Sequence, residues 1–275
     1  MMNFKLCAFA DEADKNIDGQ IKALLENDIR LLEIRGVDGE NISEISLQKA
    51  KEVREKLDDG GIVVWSVGSP FGKIKITDDF EKHFDSFKYG IEKAHILGAK
   101  NIRMFSFFVP KEEADACFDK VMERLEKFRI AAKDSGVLLC HENEKGIFGD
   151  TADRCRLIHD TLPEIKAVFD PANFVQCGEN TKLAFEKLSP YVKYMHIKDA
   201  LTDGTVVPAG KGVGNIEWLL SKYSGEVLTL EPHLSVFKGL DKLEADEKTN
   251  IDQFKYKTPK IAFDVAVTAL KNIIE

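Results

Sequence analysis

The chain has 275 residues and carries 39 Lys and Arg against 47 Asp and Glu, a net charge of −8. A hydrophobic fraction of 44% excludes a disordered chain, and the lack of a run of about 20 apolar residues excludes a helical membrane span. The negative balance disfavours a nucleic-acid binder, and five scattered cysteines with no C-x-x-C spacing disfavour a disulfide framework or thiolate zinc site.

The apolar start reaches Asp11 and Glu12 too soon for a signal peptide, and the scattered cysteines make a reducing cytoplasm the expected compartment. Residues 6–9 read as a first strand. Residues 17–27 follow with Ile21, Leu24 and Leu25 at helical spacing. Residues 31–35 form a strand stopped by Gly36. Residues 45–57 form a charged helix with Ser43 or Ser46 as cap, broken by Gly60 and Gly61. Residues 62–67 are β-branched and apolar, a buried strand. The pattern then repeats: helix 79–97, strand 101–107, helix 112–135, strand 137–142, helix 151–162. Strand 165–170, helix 181–188, strand 192–197, helix 216–222, strand 227–231 and helix 261–274 complete it. Residues 240–258 are polar and aperiodic, expected as a long loop or a short extra helix.

Strict alternation with near-continuous apolar strands implies a parallel sheet. Eight such units predict a closed α/β structure, a single (β/α)8 barrel spanning residues 1–275 as one domain. An open doubly wound sheet would carry a glycine-rich turn after the first strand, where residues 10–13 read Ala-Asp-Glu-Ala.

In such a barrel the chemistry lies at the C-terminal strand ends. Strand five ends in His141-Glu142-Asn143-Glu144, strand six at Asp170, strand seven at His196 and strand eight at Glu231. Each residue alone has an ordinary explanation, a solvated glutamate or a core histidine. Four at equivalent places on consecutive strands have a common one. Three carboxylates on one rim repel and are costly to desolvate, and a divalent cation removes that penalty. Two Glu, one Asp and one His suit Mn²⁺, Mg²⁺, Co²⁺ or Zn²⁺. Asp170 and Glu231 each precede a proline, which holds them extended. His141 points to the opposite face and is expected to pack. Glu33 and Arg35 share one face of strand two, to bind substrate hydroxyls or to pair with each other. Arg103 and Ser106 end strand four. Ser69, Lys73 and Lys211 lie in rim loops whose glycines offer N–H groups to an anion. His83, His95 and His159 fall on helices, to pack or to face solvent, and His233 has no assigned role. Phe9, Phe71, Phe105, Phe107, Phe174 and Trp218 are candidates to wall a sugar pocket or to pack in the core.

With these residues the chain resembles the xylose isomerase-like barrel superfamily of sugar phosphate isomerases and epimerases. The likeness is carried by HENEKGIFGDT (141–151), FDPANFVQCG (169–178), HIKDAL (196–201), GKGVGNIEW (210–218) and LEPHL (230–234), with LLEIRG (31–36) and SVGSPFGKI (66–74) upstream. The resemblance implies one divalent metal held by Glu142, Asp170, His196 and Glu231. It also implies that Glu142 and Glu231 move protons in isomerising or epimerising a ketose, sugar phosphate or related polyol. Physically, a cation on the carbonyl stabilises the enediolate, and two carboxylates on opposite sides of a carbon can take and return its proton. Asn173 and Lys198 are candidate substrate contacts, together with Glu33, Arg35, Arg103 and Ser69. Many relatives carry His at the position of Asn173, and the departure sets that role apart. The expected partner is a small sugar or sugar phosphate, with neither nucleic acid nor membrane; a homodimer is compatible. Alternatives are an inosose-type dehydratase, an abasic-site endonuclease-like barrel and a non-catalytic sugar-binding barrel.

Overall fold

The computed structural model describes residues 4–235 and 256–275. Eight short strands run in chain order: β1 (Lys5–Ala8), β2 (Leu31–Ile34), β3 (Val63–Gly68), β4 (Asn101–Met104), β5 (Leu138–Glu142), β6 (Lys166–Phe169), β7 (Val192–Ile197) and β8 (Val227–Leu230). They pair in parallel and close on themselves in the order β1-β8-β7-β6-β5-β4-β3-β2. The expected barrel is the observed one. Two small antiparallel hairpins decorate it, Gly36–Val37 with Glu40–Asn41 and Asp199–Ala200 with Val206–Val207.

Among the described residues the α-helices are α1 (Ile17–Glu26), α2 (Leu47–Asp59), α3 (Phe80–Leu97), α4 (Phe118–Ala132), α5 (Ala152–Thr161), α6 (Pro171–Gln176), α7 (Thr181–Leu188), α8 (Ile216–Lys222) and α9 (Pro259–Ile274). Their starts follow capping chemistry. Ser46, Asp79, Thr151, Asn180 and Thr258 each accept a backbone N–H of the first turn. None of the helices among the described residues is long and apolar enough to cross a membrane.

Two boundaries differ by more than a residue or two from the sequence reading, and one helix is new to it. The expected helix over 112–135 begins only at Phe118; residues 111–117 form two 3-10 turns. Only Ala114 of that stretch is buried, so no apolar stripe imposes the α period. Strand four ends at Met104, because Phe105 and Phe107 donate instead to the carbonyls of Phe71 and Gly72 in the β3–α3 loop. Gly72 makes that approach possible: a Cβ there would lie 2.1 Å from the Phe105 oxygen. Helix α6 forms where the sequence assigns no element, since six residues are too few to show a period. The aperiodic stretch 240–258 lies almost wholly outside the described residues.

Side chains alternate across each strand, and this sorts the barrel interior into layers. Cys7, Cys140, Val168, Tyr194 and Val227 pack together with Leu31, Trp65 and Leu138. Two residues further along the same inward faces come Glu33, Glu142 and His196, and four residues beyond Val227 comes Glu231, all buried. An apolar plug thus underlies a charged layer at the C-terminal mouth.

Outside the strands, His159 of α5 is fully buried. Its Nδ1 lies 3.0 Å from the Ile165 carbonyl, so Nδ1 carries the proton and donates, while Nε2 has no partner. Burial therefore pulls the imidazole down to about 4. The unfolded chain takes up that proton near pH 6.5 and the fold does not, so this contribution to stability is lost on acidification. Between pH 6.5 and 4.5 the parent protein should lose about 2 kcal/mol more than His159→Gln. Urea unfolding at both pH values measures this; equal losses would mean that the fold accommodates the charged ring.

Candidate active site

The four strand-end donors converge. One ligating atom from each of Glu142, Asp170, His196 and Glu231 lies within 4.8 Å of all the others, and all four residues are buried. His196 Nδ1 sits 3.0 Å from Glu142 Oε1 and 3.3 Å from Glu231 Oε2. Asp170 leaves β6 as the N-cap of α6: its Oδ1 accepts the Asn173 N–H at 2.9 Å. The Asp-Pro pair explains the geometry, since proline suits the first helical position. Its other oxygen, Oδ2, is buried without a hydrogen bond and faces the Lys198 ammonium at 2.9 Å. Lys198 also lies 3.1 Å from Glu231 Oε2.

The electrostatics are those of crowded carboxylates. Burial pushes Asp170 up to about 7, and Glu231 and Glu142 add to it against the pull of Lys198. Glu231 goes the other way: burial is outweighed by Lys198, His233 and His196, which hold it well below the usual range. The crowding of like charge thus falls on Asp170, while the cationic neighbours favour the ionised form of Glu231. Burial opposes charge on His196, but Glu142, Glu33 and Glu231 hold its imidazolium well above the ordinary range. An oxygen-rich donor set, an unbonded buried oxygen and two cations drawn between the acids fit a divalent ion of the expected kind.

The remaining sequence-predicted residues surround this group. Arg103 ion-pairs Glu142 Oε2 at 3.1 Å and donates to the Ser69 carbonyl at 2.8 Å. The Ser69 hydroxyl donates to the Arg103 carbonyl at 2.6 Å, which locks loop to strand. Asn173 donates to Glu142 Oε1 at 3.3 Å and to the Asn143 carbonyl at 2.9 Å. Glu33 accepts from Tyr194 at 2.8 Å and lies 3.2 Å from His196 Nε2. Arg35 is gripped by Asp11 at 2.9 and 3.0 Å, by Glu12 at 3.0 Å and by Glu231 Oε1 at 3.0 Å. It also lies over the Phe9 ring, 4.3 Å from its centroid. Glu33 and Arg35 thus pair with protein groups, but not with each other.

Other groups at the mouth lie outside the donor quartet, His141 among them as its face predicts. His141 points away from the cation site and meets the Ser106 hydroxyl at 2.9 Å. Asn143 clamps β5 to β6, donating to the Asp170 carbonyl and accepting its N–H, both at 2.9 Å. Glu144 pairs with Lys73 at 3.1 Å, and Lys73 sits over Phe105. His233 adopts φ +46°, its N–H donating to Glu12 Oε2 at 2.7 Å. Glu12, Glu231 and His233 form a second donor group, but the Arg35 guanidinium already fills it. Glu144 and His233 lie beyond the strand ends, where the alternation of a strand no longer places a side chain. The rim glycines do not await an external anion: Gly210, Gly212 and Gly214 donate to the Asp199 carboxylate.

Comparison with solved structures agrees with this architecture. A probable 3-DHS dehydratase, AsbF of Bacillus anthracis, involved in petrobactin synthesis, superposes with a TM-score of 0.74 at 14% identity, covering 98% of this chain and 99% of that one. IolI protein with a bound zinc atom gives 0.70 at 16% identity, covering 98% of each chain. D-psicose 3-epimerase with D-tagatose, from Clostridium cellulolyticum H10, gives 0.71 at 13% identity, covering 98% and 99%. No curated protein matches the chain in sequence. The family model described as xylose isomerase-like TIM barrel matches residues 21–235. With that span, the closed barrel and the shared fold, the chain belongs to the xylose isomerase-like TIM barrel family.

Proposed function

We propose that the protein is a divalent-cation-dependent isomerase or epimerase of a ketose, sugar phosphate or related polyol. The observation that carries this reading is the approach of two glutamates from non-adjacent strands, β5 and β8, to one nitrogen, His196 Nδ1, at 3.0 and 3.3 Å. Glu142, Asp170, His196 and Glu231 would hold the cation, which when bound supplies Lewis acidity at a substrate carbonyl. Glu142 and Glu231 are then placed to flank the neighbouring carbon. One carboxylate takes the proton from that carbon, the carbonyl oxygen receives the electron pair, and the other carboxyl returns a proton. Return from the opposite face inverts the centre; return to the adjacent carbon interconverts aldose and ketose. Arg103, close to Glu142, and Lys198, between Asp170 and Glu231, keep the acids from repelling one another and offer positive charge to a developing oxyanion. Buried aromatic rings, Phe9 and Phe105 among them, keep water from these groups.

A second reading is dehydration of a cyclic keto-polyol, which starts from the same proton removal. The Lys198 ammonium favours it, as a proton donor to a leaving hydroxyl, and so does the fold likeness to the probable dehydratase AsbF.

The test is a screen of free ketoses, keto-sugar phosphates and inososes with Mn²⁺ in D2O, read by NMR. Deuterium at one carbon with an epimer or isomer as product supports the first reading; an unsaturated product supports the second. Metal analysis should find about one divalent ion per chain, and chelation should end exchange. Full exchange in metal-free protein would overturn the site.

A further inference from the structure

Glu33 is fully buried at the end of β2, yet its carboxylate belongs to no ligand group. It stands behind His196. The ring's Nδ1 faces Glu142 and Glu231, while its Nε2 lies 3.2 Å from Glu33 Oε2. Carboxylates at both edges fix the ring's orientation; when a cation takes the place of the Nδ1 proton, Nε2–H remains as the donor to Glu33 and the Nδ1 lone pair is turned to the cation site. Glu33 is itself fixed. Its Oε1 accepts the Tyr194 hydroxyl at 2.8 Å, and Arg103 lies 3.9 Å away. Phe9 closes the remaining side, its ring edge-on to His196 at 5.2 Å. A buried carboxylate is costly unless its charge is used, and a carboxylate behind a ligating histidine raises the basicity of the far nitrogen.

We propose that Glu33 is a positioning residue: it fixes His196 so that Nδ1 is the ligating atom, and it contributes to cation affinity without touching cation or substrate. This rests on the cation site described above. It replaces the expectation that Glu33 binds a substrate hydroxyl, because both of its oxygens are engaged by protein groups.

The experiment is calorimetric titration of the metal-free full-length protein with Mn²⁺, comparing the parent with Glu33→Gln and Glu144→Gln. Glu33→Gln should weaken binding about 10–100-fold. Glu144→Gln removes a neighbouring charge that does not touch His196 and should weaken it only a few-fold. Equal weakening in the two variants would make the effect one of net charge and overturn the assignment, as would parent-like affinity in Glu33→Gln. A parent protein that binds no Mn²⁺ overturns the cation site itself, which separates the two failures. A spectroscopic signature accompanies the titration. In the Zn²⁺-loaded parent, the His196 Nε2 proton should give a downfield ¹⁵N-coupled signal protected from exchange. In Glu33→Gln it should move upfield. Where Glu33→Gln does not fold, Glu33→Asp withdraws the carboxylate by one methylene, and the same signal should shift in the same direction; an unmoved signal overturns the proposal.

Discussion

Glu142→Gln and Glu231→Gln should each lower solvent deuterium exchange by about 10²–10⁴-fold, the range expected when a general acid–base group is removed. The substitution suits the question because an amide keeps the size and one oxygen donor of the carboxylate but cannot hold a proton. The two glutamates have different neighbours. Glu142 sits with Arg103, Asn173 and His196, and Glu231 with Arg35, Lys198 and His196. Under the proposed function they would approach the reacting carbon from different sides of the mouth, and an epimerase should then show a crossed pattern. The variant lacking the base for one epimer loses exchange of that epimer but retains exchange of the other; its partner does the reverse. A dehydratase should show one dominant loss instead, since only one proton leaves carbon. Metal content measured on the same samples separates lost proton transfer from a lost ligand. Exchange that persists in both variants, with cation bound, would mean that neither glutamate is the base.

The sequence carries most of the architecture because barrel closure depends on repetition. Each unit offers an apolar strand, a stop and an amphipathic helix, and eight such units admit few arrangements. The strand-end donors are legible for the same reason. Glu142, Asp170, His196 and Glu231 occupy one position in four consecutive units, and the observed quartet has its ligating atoms together. What stays hidden depends on contacts between units. Nothing local to Glu33 or Arg35 says that one meets His196 on β7 and the other Glu231 after β8. Both lie on the expected face; their partners are set by barrel closure and the β1 residues between them. Strand four is cut short at Met104 by a loop some thirty residues upstream, through a backbone approach that only Gly72 permits. Asp170 shows both sides of the limit. Its place at a strand end is readable, but its work as cap of the six-residue α6 is too brief for any period to announce.

Asp199 is the clearest case of a residue hidden this way, and removing its carboxylate should destabilise the protein by about 3–5 kcal/mol. The side chain is fully buried and accepts four backbone N–H groups: Ala200 at 2.9 Å, Gly210 at 2.9 Å, Gly212 at 3.0 Å and Gly214 at 2.8 Å. It does for the loop of residues 210–214 what a bound anion does for a phosphate loop, which explains glycine spacing with no phosphate pattern. The glycines are needed on contact grounds too. A Cβ on Gly212 would fall 2.3 Å from the Ala200 oxygen, and one on Gly214 would fall 2.6 Å from Asp199 Oδ1. Asp199→Ala leaves these donors facing a void, and those of Ala200 and Gly214 are sealed from water. Each unpaired buried donor costs about 1–3 kcal/mol, and relaxation of the exposed Gly210 returns part of the sum. At roughly 2–4 °C per kcal/mol for a chain near this size, the melting temperature should fall by about 6–20 °C. Gly214→Ala should act in the same direction, since it displaces the carboxylate from the other side. The damage reaches the site through Lys198, the preceding residue, whose ammonium lies between Asp170 and Glu231. Mn²⁺ affinity should therefore weaken in whatever fraction of Asp199→Ala remains folded. A loss below about 1 kcal/mol, measured by urea unfolding, would show that water or a shifted loop satisfies those donors as well as the carboxylate does.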